Sequence, residues 1–79
     1  MKKQVFGLKT ESGADALRRV AGVFSRKGCG IDSLRLEPDE PGFSSVTLTV
    51  SVSGEKAREL EKLLGRLYDV VSVSVREEA

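Results

Sequence analysis

The sequence predicts an α+β fold, in which a four-stranded antiparallel sheet carries two helices on one face in the order βαββαβ. Two observations lead to this prediction. Apolar residues alternate with a period of two in four short segments, and they recur with a helical period in two longer segments. The elements alternate so that two right-handed crossovers flank one hairpin, which is typical of the ferredoxin-like arrangement.

Four segments have the alternation of half-buried strands, and we expect strands near residues 3–9, 31–37, 45–53 and 70–76. The third segment is the clearest, because its valines and Leu48 alternate with serine and threonine. A turn over residues 38–42 precedes it, where Gly42 accepts a positive φ. The buried sides of the other three strands are expected to carry Phe6 and Leu8, Leu34 and Leu36, and Val71, Val73 and Val75.

Two segments have the helical period. Before the first, Ser12 and Asp15 resemble a capping box in which Asp replaces the usual Glu or Gln. Gly28 is the expected end of this helix, since a left-handed conformation costs glycine little. The second helix is expected to begin at Ser53 or Gly54. The apolar stripes are Leu17, Val20, Ala21 and Phe24 in the first helix, and Ala57, Leu60, Leu64 and Leu67 in the second.

Composition favours a single non-catalytic domain over residues 1–79, with a frayed tail at 77–79. The net charge of +1 gives no electrostatic reason to expect nucleic acid or an anionic membrane as a partner. The chain contains no histidine, the commonest general base, and Cys29 is its only cysteine. No stretch approaches the roughly 20 apolar residues of a membrane span. We predict a soluble cytoplasmic protein that is not an enzyme and holds no metal or other cofactor.

Other proteins with this strand order fit the sequence less well. An RNA-binding module should expose aromatic residues on its central strands, and the third strand has none. An acylphosphatase-like enzyme would need an arginine loop before the first helix, where residues 10–15 are acidic instead. A metal-carrying domain would need paired cysteines in that loop, and it has none.

Two long stretches and one short one go beyond a fold pattern. Residues 64–73, with Leu67, Asp69 and Val70, are similar to the closing Leu-x-Asp-Val stretch of the acetolactate synthase regulatory (small) subunits. Glu11-Ser12-Gly13-Ala14 is similar to the loop before their first helix. The longer stretch resembles their first helix and second strand, and it reads Leu17-Arg18-Arg19-Val20-Ala21-Gly22-Val23-Phe24-Ser25-Arg26-Lys27-Gly28-Cys29-Gly30-Ile31-Asp32-Ser33-Leu34.

The resemblance implies an ACT domain, a module that typically dimerises and binds amino acids at the interface. Subunits of that family bind a thiamine-diphosphate-dependent catalytic partner in branched-chain amino-acid biosynthesis, raise its activity and in many members confer inhibition by valine. The chain is similar to the short members, which lack a second C-terminal domain. We therefore predict a regulatory homodimer formed edge to edge through the second strand. The alternative is a free-standing ACT-type amino-acid sensor with another partner.

The resemblance also implies an effector site in two segments, namely Glu11, Ser12, Gly13, Ala14 and Asp15, and then Cys29, Gly30 and Ile31. Each segment has a simpler interpretation, because the first can be just a helix cap and the second a helix end. Valine-responsive members have glycine at the start of the first helix, where Asp15 stands in an ungapped alignment and Gly13 stands only if one residue is inserted. The family's asparagine lies at Gly30, which has no side chain. We therefore expect weak or no valine binding, although backbone N–H groups around residues 12–15 could still receive a carboxylate.

The serine and threonine face of the third and fourth strands lacks charge, and two interpretations stay open. It is either a solvated sheet face or the place where a partner subunit lies. Neutral hydroxyl groups cost little to desolvate once they are paired. Cys29 lies beside Arg26 and Lys27, but without a base or a second cysteine we interpret it as non-catalytic.

Overall fold

The computed structural model describes residues 2–78 and confirms the predicted fold. Its elements are β1 (Lys2–Glu11), α1 (Ala14–Arg26), β2 (Ser33–Pro38), β3 (Phe43–Val52), α2 (Gly54–Gly65) and β4 (Val70–Glu77). The strand order is β2-β3-β1-β4, and every neighbouring pair is antiparallel. Within residues 2–78, no helix is both long enough and apolar enough to cross a membrane.

The core lies between the two helices and one face of the sheet, because residues of both helices pack with the same side of each central strand. Phe6 on β1 meets Phe24 on α1 edge to face, with ring centroids 5.3 Å apart and an interplanar angle of 88°. This geometry is favourable beyond the area that the rings bury. The buried apolar cluster comprises Phe6, Leu8, Val20, Val23, Phe24, Val46, Leu48, Val50, Val52, Ala57, Leu60 and Leu64.

The start of α1 differs from the predicted capping box. The helix begins after Gly13, and no side chain caps it. The physical reason is that β1 runs two residues further than expected, as far as Glu11, which pairs with Phe43. This carries Ser12 to the sheet, where its N–H donates to the Gly42 carbonyl at 3.0 Å and its hydroxyl lies 3.5 Å from that of Ser44.

The other helix ends agree with the sequence. Cys29 N–H donates to the Phe24 carbonyl and Gly28 N–H to the Ser25 carbonyl, which is the Schellman arrangement, with Gly28 at a φ of 69°. Ser53 caps α2, because its hydroxyl accepts a hydrogen bond from Lys56 N–H at 3.1 Å.

The register of β4 corrects two expectations. The pairing with β1 shifts between Lys9 and Thr10, so that Val70 packs against the core and Val71 is left 56% exposed instead of sharing a face with the other valines. At its other end, β4 runs through Glu77, and Glu78 N–H donates to the Lys3 carbonyl at 2.9 Å. These two residues are therefore paired where fraying was expected, and Ala79 lies outside the described residues.

Candidate functional site

The first predicted effector segment is a short connection held from two sides. Glu11 N–H donates to the Asp69 carbonyl at 2.8 Å, and Ser12 N–H donates to the Gly42 carbonyl at 3.0 Å. Gly13 then turns the chain into α1 with a φ of 125°, a conformation that side chains rarely adopt. The segment is thus fixed between the β2–β3 turn and the corner that joins α2 to β4.

The first turn of α1 presents free backbone N–H groups, because its N-cap residue is Gly13 and no side chain caps the helix. Such groups carry the positive end of the helix dipole and suit a carboxylate. Asp15, in this turn, is exposed and lies 3.5 Å from Arg18 Nη1. Arg18 therefore offsets part of the Asp15 charge, which would otherwise compete with an incoming anion.

The second predicted segment connects α1 to β2. Cys29 is a free thiol, and its Sγ donates to the Lys27 carbonyl at 3.6 Å. Cys29 and Ile31 are half-buried against the core, whereas a Cβ added at Gly30 would meet nothing within 4 Å. The segment borders an open depression of about 470 Å³, lined by Lys27, Gly28, Cys29, Gly30, Ser51, Val52, Ser53 and Lys56.

The structure does not bring the two segments together within one chain. They lie at opposite ends of α1, whose 13 residues span about 20 Å at the usual rise per residue. Glu11, Ser12, Gly13, Ala14 and Asp15 therefore form one group, and Cys29, Gly30 and Ile31 form another. A single ligand of amino-acid size would contact both groups only if a second copy supplied one of them.

The edge strand β2 exposes two leucine side chains. Leu34 and Leu36 are 41% and 45% exposed, although they lie opposite Leu48 and Val46 on the core side of the sheet. The order of the sheet places β2 at its margin, so its outer backbone groups have no strand partner among residues 2–78. An edge of this kind is a template for pairing with another chain.

Sequence reasoning missed a cluster at the α2–β4 corner. Arg19 Nε donates to Asp69 Oδ2 at 2.8 Å, and the Asp69 side chain is only 4% exposed. This hydrogen bond raises the pKa of Arg19. The Arg19 guanidinium also lies 4.6 Å from the centre of the Tyr68 ring and donates to its hydroxyl. The available signal was that Arg19 and Asp69 stand in the two stretches that resemble the small subunits.

The fold and the placement of these segments define an ACT-type domain. The ACT domain from GTP pyrophosphokinase of Chlorobium tepidum matches 95% of the chain and 97% of its own length with a TM-score of 0.81. At 18% identity this likeness shows the fold alone. The acetolactate synthase small subunit from Thermotoga maritima matches with a TM-score of 0.85 and 25% identity, over 95% of this chain and 47% of its own.

The family model for the AHAS small subunit-like ACT domain matches residues 14–72, and the chain belongs to that family. The acetolactate synthase isozyme 3 small subunit of Escherichia coli is 39% identical over 74 residues, which cover 91% of this chain and 45% of the relative. The small subunit of Haemophilus influenzae is 32% identical over 72 residues, 90% of this chain and 44% of the relative. The chain spans about half the length of the curated relatives it matches.

Proposed function

We propose that the chain is a non-catalytic regulatory subunit of acetolactate synthase that acts in the cytoplasm. It binds the thiamine-diphosphate-dependent catalytic subunit and raises the activity of that subunit. The observation that carries this proposal is the family match over residues 14–72, together with relatives that are named as small subunits of this enzyme. The chain's own residues support a binding role, because the chain has no histidine and its one cysteine has no paired base.

The proposed active form is a homodimer in which the β2 strands of two copies pair edge to edge. Pairing would bury Leu34 and Leu36 and satisfy the outer backbone groups of β2. It would also extend the four-stranded sheet to eight strands. A unit of 79 residues buries only a small apolar core by itself, and pairing with a second copy enlarges the buried apolar surface.

Dimerisation also supports a shared effector site. The first turn of α1 in one copy supplies N–H groups for a carboxylate, and the segment from Cys29 to Ile31 in the other copy supplies the opposite wall. Gly30 brings no side chain to that wall. Valine feedback is therefore weak or absent in this protein.

Co-purification from the native cell tests the function directly. A tagged chain is isolated under mild conditions, and the proteins that accompany it are identified by mass spectrometry. The proposal expects the acetolactate synthase catalytic subunit in constant ratio to the chain. Recovery of a different partner, with tight binding of an amino acid by the isolated dimer, would instead identify a free-standing sensor.

A further inference from the structure

An apolar groove of about 240 Å³ runs between α1 and α2. Val23, Leu63 and Leu67 form its floor, and the two leucines are only partly covered by the core beneath them. The helices lie on one face of the sheet, so this groove opens on their outer side, away from the strands. A strand pairing along the β2 edge therefore leaves the groove accessible.

The rim of the groove is basic. Arg26, Lys27 and Arg66 line it, and Lys27 Nζ is paired with Glu59 Oε2 at 3.1 Å. Neither Arg26 nor Arg66 forms an ion pair within residues 2–78. The groove thus combines an apolar floor with two guanidinium groups that form no ion pair within the described residues.

Gly22 contributes to the position of one of these groups. A Cβ at Gly22 would lie 3.2 Å from Arg26 Nη1, which is closer than ordinary van der Waals contact. The absence of a side chain at Gly22 therefore lets the Arg26 guanidinium lie close against the surface of α1. Arginine with a planar fork held near an apolar surface is well suited to pair with a carboxylate.

We propose that this groove docks an acidic segment of the catalytic subunit, in which an apolar side chain is flanked by carboxylates. The inference rests on the proposed function, since it names the surface through which the chain meets that subunit. The apolar side chain would cover Leu63 and Leu67, while the carboxylates would pair with Arg26 and Arg66. Interfaces commonly combine a desolvated apolar anchor with arginine, and complementary charge fixes the orientation of the partner.

The opposite face of the sheet suits such a segment less well. The depression there is lined mainly by polar residues. Of its two apolar residues, Val5 is only 7% exposed, and Leu34 would be covered by the proposed pairing of β2. An apolar anchor would find little free surface on that face. A small inorganic anion, in turn, would pair with the arginines of the groove but would leave its apolar floor exposed to water.

Binding of the purified catalytic subunit, measured by biolayer interferometry, tests the groove. The variants are R26E/R66E, which reverses both charges, and R26Q/R66Q, which removes them. The control is R18E/R76E, which changes the net charge by the same amount as R26E/R66E at two arginines outside the groove. Circular dichroism and thermal unfolding of each variant establish that it is folded.

We expect R26E/R66E to raise the Kd by about thirtyfold or more, R26Q/R66Q to raise it by about tenfold, and the control to raise it by less than about twofold. The increase in Kd of the charge variants over the wild type should become smaller as the NaCl concentration rises from about 0.05 M to about 0.3 M. An unchanged Kd for folded R26Q/R66Q, or an equal increase in Kd for the control, overturns docking in the groove but leaves the proposed function in place. Failure of the wild-type chain to bind the catalytic subunit overturns both.

Discussion

Arg19 and Asp69 are 50 residues apart in sequence, and a 2.8 Å hydrogen bond from Arg19 Nε to Asp69 Oδ2 joins them. It fastens α1 to the corner between α2 and β4. The main chain of Asp69 holds the β1–α1 connection as well, since its carbonyl accepts from Glu11 N–H. The two stretches that resemble the small-subunit family thus meet at one residue, beside the first segment of the candidate effector site.

Replacing Arg19 by alanine tests how much this ion pair stabilises the fold. R19A would leave the buried Asp69 carboxylate without its charged partner, and we expect the free energy of unfolding to fall several times further than in R18A. The loss is below that of a fully buried pair because the Arg19 side chain is 37% exposed. Urea denaturation measures the free energy of unfolding of wild type and variants. R18A, at a side chain 79% exposed, should cost less than about 0.5 kcal/mol, and equal losses would contradict the account.

The β2 edge predicts a specific effect on oligomeric state. Wild-type chain at micromolar concentration should sediment as a dimer, and L34K/L36K should sediment as a monomer, because two charges replace the apolar contact. V71K places one lysine at the other edge of the sheet and is the control, since Val71 is also exposed but lies on β4. It should remain a dimer. A monomeric wild type, or a dimeric L34K/L36K, would show that this edge is not the interface.

Valine should leave the thermal unfolding temperature unchanged at millimolar concentration. Ligand that binds the folded state raises this temperature, so an absent shift reports weak binding. The G30N variant introduces the asparagine that the family resemblance implies at this position, and open space around Gly30 accommodates it. We expect G30N to gain a shift with valine. A rise of several degrees in the wild-type chain would refute the expectation of weak binding.

The pair between Lys27 and Glu59 predicts a dependence of stability on pH. The hydrogen bond from Lys27 is the main reason that the pKa of Glu59 is lowered in the folded chain. A carboxyl with a lowered folded pKa contributes stability above its unfolded pKa, and this contribution is lost as the pH falls through the folded pKa. The stability difference between wild type and E59Q should therefore be largest near neutral pH, decline below the ordinary glutamate pKa of about 4.3, and vanish below the lowered folded pKa.

Urea denaturation at neutral, mildly acidic and strongly acidic pH measures this difference. K27A removes the donor of the same pair, so its difference from the wild type should decline over the same range. A difference between wild type and E59Q that stays constant from neutral to strongly acidic pH would contradict the assignment of the pair as the cause.

Local chemistry made much of the fold predictable. The alternation of β3 fixed its buried face, and Gly28 and Gly42 marked two of the three places within residues 2–78 where the chain has a positive φ. The exposure of Val71 was not predictable from the same pattern. It results from a register shift between β1 and β4, and a strand segment taken alone carries no information about the register of its partner.

The candidate site was less predictable than the fold because its determinants are non-local. The sequence placed a capping box at Ser12, but pairing of β1 with β3 draws Ser12 to Gly42 and Ser44 instead. The ion pair of Arg19 with Asp69 likewise requires the corner to be folded. The two effector segments could be named from the resemblance. The resemblance did not show that α1 holds them at its opposite ends within one chain.

Titration of the purified catalytic subunit with this chain tests the central claim most directly. The rate of acetolactate formation is measured as the chain is added, with the chain alone as the blank. A regulatory subunit predicts no product from the chain alone and a rate that rises to a plateau at a fixed molar ratio. A rate that is no higher at saturating chain than with the catalytic subunit alone, or acetolactate formed by the chain alone, would contradict it.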